Sequence, residues 1–176
     1  MRRRITMVIL VLTCFLLQST VFKYLEIASI VPNVLLILTI SFGFMQGKKE
    51  GIMVGFFSGL LIDIFFGSAL GLYALIYMYL GYASGFFCKV YLDEDIKVPM
   101  VMVACGDLIY NMAVYLNLFV MRGKLDFFAY MSMVMIPELV YTVLVTIVLY
   151  RLFYRINKWL VKKESRGKHA LCLRNL

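Results

Sequence analysis

Six apolar segments follow one another along this sequence, at roughly 5–22, 31–46, 51–66, 70–88, 98–121 and 127–150, separated by only short polar stretches. About 20 apolar residues span the hydrocarbon core of a bilayer as a helix. No run alternates polar and apolar residues as a membrane β-strand would. The composition agrees: 63% of the 176 residues are hydrophobic, 16% are charged, and the mean hydropathy is +0.90. A water-soluble domain of this size has no interior large enough to hide that much apolar surface. The sequence therefore predicts an all-α, polytopic integral membrane protein with six transmembrane helices, and a single transmembrane domain over residues 1–160.

The charges predict an orientation. Six crossings with the N-terminus inside place fifteen of the eighteen Lys and Arg residues on the inner side, leaving Lys23, Arg122 and Lys124 outside. By the positive-inside rule both termini are cytoplasmic, which in a bacterium means a multi-pass protein of the cytoplasmic (inner) membrane. The net charge of +8 is thus a topology signal and gives no reason to expect nucleic acid. The start MRRRITMVILVLTCFLLQST is built like a signal peptide but has no small-x-small cleavage site, so it reads as an uncleaved first helix. The basic tail, residues 161–176, is expected to be cytoplasmic, disordered after Glu164, and attracted to anionic lipids.

Five glycines recur every fourth position, Gly43, Gly47, Gly51, Gly55 and Gly59, and Asp63 stands where the next would fall. Lys48–Glu50 read as a cytoplasmic turn between the second and third segments. Residues four apart share a helical face, and a face without side chains lets another helix backbone approach closely. That face serves packing within the chain or a groove for a partner's helix. The fourth segment carries a comparable row, Tyr73, Tyr77, Gly81 and Gly85.

Intramembrane polar residues mark a second feature. Asn33 and Asp63 fall at similar depth in the outer leaflet and are expected to share a hydrogen-bonded cluster. Asp107, Asn111 and Glu138 fall near the midplane, with no Lys or Arg inside any span to neutralise the acids. They read as polar glue between helices, with a proton or cation path as the alternative. Pro137 is expected to kink the sixth helix.

Catalytic and ligating patterns are missing from the sequence. His169 in the tail is the single histidine, and there is no phosphate-binding loop, zincin motif or Ser-His-Asp set. Cys14, Cys88, Cys105 and Cys172 have no metal or redox spacing. The expectation is a non-enzymatic protein without a metal or cofactor.

The chain resembles the rod shape-determining protein MreD family over most of its length. The resemblance is carried by Pro32-Asn33 with VLLILT, by Gly51-x3-Gly55-Phe56-x2-Gly59-Leu60-Leu61-x-Asp63, and by Gly67 and Gly71-Leu72. Gly81-Tyr82 and Ile136-Pro137-Glu138-Leu139-Val140-Tyr141 complete it. Thr142 departs from the pattern, since the family often has asparagine there. The resemblance implies a scaffold subunit of the bacterial rod (elongation) complex. Such a subunit binds the single-span protein MreC, acts alongside MreB and the rod-complex synthases, and supports side-wall peptidoglycan synthesis. In that setting Gly51, Gly55, Gly59 and Asp63 would grip a partner's helix and set its depth. The alternative is a solute-binding subunit of an energy-coupling-factor type vitamin transporter, which needs a roomy outer cavity with convergent polar side chains. A proton-coupled carrier using Asp107 and Glu138 is a third class.

Overall fold

The computed structural model describes residues 2–24, 31–67, 71–87, 97–122 and 126–173. Among the described residues eight α-helices occur in order: α1 (Arg2–Ser19), α2 (Val21–Tyr24), α3 (Val34–Gln46), α4 (Lys48–Phe66), α5 (Leu72–Phe86), α6 (Lys97–Arg122), α7 (Phe127–Tyr130) and α8 (Ile136–Leu173), with a π-helical turn at Met131–Met135 before α8. No strand occurs among the described residues. The six longer helices, α1, α3, α4, α5, α6 and α8, coincide with the six apolar segments. Two stretches, Lys97–Asn117 and Phe127–Lys158, are long and apolar enough to cross a membrane by length and composition.

The centre of the bundle is α3. Every residue from Val34 to Met45 is buried, and α1, α4, α5, α6 and α8 all pack around it. A helix that is apolar on all sides has no solvent face and belongs in the middle. At 13 residues it is only about 20 Å long. The outer helices turn large apolar side chains outward, among them Phe65, Leu75, Ile109 and Val148. Such faces are stable against lipid.

Three local features differ from the sequence expectation. The turn between α3 and α4 is Gly47 alone, with φ 95°, and Lys48–Glu50 form the first turn of α4 instead of a loop. A left-handed residue lets the chain reverse within one position, and glycine has no Cβ to oppose it. Ahead of Pro137 the chain widens into the π-helical turn, where the Ile136 N–H reaches the Met131 carbonyl five residues back. Pro137 lacks the N–H that would serve Met133, and the wider turn absorbs that defect. Lastly, α8 runs on as helix to Leu173, through the stretch expected to be disordered. No proline follows Pro137, and the tail is rich in Lys, Arg and Leu, which favour helix.

Candidate functional site

The glycine row is occupied by the chain's own α5. Helices α4 and α5 run antiparallel, so Gly51 meets Gly81, Gly55 meets Tyr77, Gly59 meets Ala74, and Gly85 meets Lys48. A Cβ on Gly55 would lie 2.7 Å from the Tyr77 carbonyl carbon and nearer still to its oxygen. One on Gly59 would lie 2.5 Å from the Tyr73 oxygen, and one on Gly85 2.5 Å from the Lys48 Cα. At the end nearest Gly47, α3 joins the seam: a Cβ on Gly51 would lie 2.9 Å from the Gly43 Cα, and one on Gly43 2.7 Å from the Gly81 oxygen. Backbone against backbone at this distance leaves no room between α4 and α5 for a helix from another chain. Of the two readings of these four-spaced glycines, packing within the chain is the one seen here: Gly51, Gly55 and Gly59, with Gly81 and Gly85, build an internal three-helix junction. The row in the fourth segment is the other half of the same seam.

Asp63 completes the seam from α4. Its two carboxylate oxygens accept from the backbone N–H groups of Tyr73 (3.0 Å) and Ala74 (2.9 Å). These are N–H groups of the first turn of α5, whose cap position is Gly71, a residue without a side chain to offer. Asp63 thus caps a neighbouring helix in trans, with its charge at the positive end of that helix dipole.

Asn33 performs the same task for α3. Its Oδ1 accepts from the Leu36 N–H (3.2 Å) and from the Tyr77 hydroxyl (2.6 Å). The Leu35 N–H goes to Gln18 Oε1 (3.0 Å), the Ile37 N–H to the Asn33 carbonyl (3.1 Å), and the Asn33 N–H to Thr142 Oγ1 (3.3 Å). Helices α1, α5 and α8 thereby supply the polar groups that the start of α3 needs where no water is at hand. At its other end, Gln46 donates to Asn157 Oδ1 of α8 (2.6 Å). Asn33 and Asp63 were expected to share one cluster; they instead use different partners, each tied to α5.

The midplane acids come together between α6 and α8. Asn111 and Asp107 both lie within electrostatic reach of the Glu138 carboxyl. The Asn111 amide also donates to the Asp107 carbonyl (3.2 Å). Asp107 is fully buried, and neither of its carboxylate oxygens has a hydrogen-bond partner among the described residues. Tyr77 and Tyr110 stack edge to face beside this group, centroids 5.6 Å apart, and Tyr73 lies 6.0 Å from Tyr110. Of the polar groups in this interior, the Tyr77 hydroxyl, Gln18, Thr142, Gln46 and Asn157 were not singled out as bonding groups from the sequence. Each stands at the edge or inside of an apolar run, the one signal that could have found them.

No group of three or more His, Cys, Asp or Glu side chains able to hold a metal ion occurs among the described residues. Cys14 is buried and Cys105 exposed, both as free thiols; Cys88 and Cys172 lie outside the side chains described. Two larger cavities, of about 500 and 190 Å3, are walled almost wholly by apolar side chains. The arrangement holds helices together.

A family model for the rod shape-determining protein MreD matches residues 1–159 of the chain. No curated protein and no solved structure matches it. Resemblance in the sequence, an all-helical bundle with lipid-compatible outer faces, and this match over most of the chain agree: the protein belongs to the rod shape-determining protein MreD family.

Proposed function

We propose that this protein is a non-enzymatic scaffold subunit of the bacterial rod (elongation) complex. It crosses the cytoplasmic membrane six times with both termini inside, binds MreC, and supports side-wall peptidoglycan synthesis with MreB and the rod-complex synthases. The family match over residues 1–159 carries the reading. The interior supports it. Its buried glycines and most of its buried polar side chains serve helix-to-helix packing and capping, which makes a rigid body suited to presenting an outer surface. The α4–α5 seam is closed, so a partner's transmembrane helix docks on an outward apolar face instead. The vitamin-transporter alternative needs convergent polar groups in a roomy cavity, and the cavities here have apolar walls.

Depletion followed by microscopy tests the function: cells should lose rod shape and round up. Unchanged shape with impaired solute uptake would reject the scaffold. Cysteines placed singly at the outward positions Phe65, Leu75, Ile109 and Val148 should crosslink to MreC from at least one helix. A crosslink from none of them would reject direct binding through these faces.

A further inference from the structure

A groove of about 500 Å3 lies between α5 and α6, with Ile40 of α3 at its floor. Its walls include Leu80 from α5, Phe87 just past the end of α5, and Val101 and Ile109 from α6. Ser84 also lines it, but its hydroxyl donates to the Gly81 carbonyl (2.9 Å). That leaves Lys97, the first residue of α6, as the charged side chain in the lining. The groove is thus an apolar trough with one cation at one end.

Its dimensions select an occupant. From Lys97 to Ile109 the α6 wall is about 18 Å long by helical rise. One leaflet of the ~30 Å hydrocarbon core is about 15 Å deep, the length available to one acyl chain. A helix ~10 Å across and 18 Å long would fill roughly 1,400 Å3, more than the 1010 Å3 of all non-atom space in and over the groove, so it could lie over the mouth without entering. We propose that the groove holds one acyl chain of a membrane glycerophospholipid, with the lipid phosphate at Lys97.

An acyl chain gains little by leaving one apolar medium for another, so the chain alone gives no preference over bulk lipid. Selection comes from the ammonium–phosphate contact. Lys97 suits it, with a flexible apolar stem along the trough wall and a point charge at the headgroup level. The phosphate common to all these lipids is the feature recognised.

The test uses the full-length protein in detergent, offered phosphatidylethanolamine or a diacylglycerol with the same chains, with bound lipid read by native mass spectrometry. The wild type should retain one phospholipid over the diacylglycerol by about fivefold, which is ~1 kcal/mol. Lys97→Gln should bring the two lipids level. Ala83→Phe, and independently Val101→Trp at an exposed position, should remove both while elution from a sizing column stays unchanged. Equal retention of the two lipids by the wild type, or an undiminished preference in Lys97→Gln, would overturn the proposal. So would a crosslink from Val101→Cys to another polypeptide with no lipid bound.

Discussion

Substituting Gly55 by alanine sets two effects against each other. Alanine favours helix over glycine by ~1 kcal/mol, so on an open helical face the change would stabilise. In this seam the new Cβ would sit 2.7 Å from the Tyr77 carbonyl carbon, where about 3.4 Å is ordinary contact. Helices α4 and α5 must therefore part by at least about 0.7 Å at this point. The obstacle is backbone inside a helix, which cannot rotate aside as a side chain would. Overpacking of this kind costs about 3 kcal/mol at the upper end of its usual range. Parting the helices also stretches the 2.9 and 3.0 Å bonds from Asp63 to the start of α5. Packing wins, and the net loss is about 2 kcal/mol, or roughly 4–8 °C in the melting temperature of a chain this size. The assay is thermal unfolding of the purified protein in detergent, followed by sizing chromatography, with Phe65→Ala on an outward face as control. A Gly55→Ala protein that melts at or above the wild-type temperature would refute the packed seam. If stability fell only in the presence of MreC, the glycine face would belong to the partner after all.

Asp63→Ala should lower the melting temperature more than Asp63→Asn, since asparagine keeps one acceptor for the Tyr73 and Ala74 N–H groups; the loss for alanine is about 3 kcal/mol. Equal effects of the two would reject the capping role. Tyr77→Phe removes the 2.6 Å bond to Asn33 and should lower stability by about 1 kcal/mol without changing the elution volume. Asp107→Leu should leave stability unchanged or raised, because a buried carboxyl without partners is a penalty that leucine removes. Glu138→Leu should lower it by removing the polar group beside the Asn111 amide, and matching losses for the two acids would count against this account. Gly47→Ala, forced to a φ of 95°, should cost about 1–2 kcal/mol in the same melting assay.

Most of the architecture was legible along the chain. The ends of the first five apolar segments fall within a few residues of the helix ends, because helix formation in an apolar run depends on local spacing and length. The four-residue glycine spacing announced a close backbone approach, and Pro137 announced a disturbed helix. What covers the glycines was not legible. A bare face accepts any helix of matching shape, and in lipid no hydrophobic drive distinguishes one's own helix from a partner's.

The sequence by itself determined that this is a bundle of lipid-facing helices, where each begins, and which faces carry no side chains, since these depend on residues three or four apart. The tertiary structure alone decided that α3 sits at the centre, that α5 fills the seam, and that Asp63 caps a helix other than its own. Those outcomes rest on groups brought together from distant parts of the chain. Each start of a helix has N–H groups that must find an acceptor where water is absent, and only the folded arrangement says which side chain is near enough to serve.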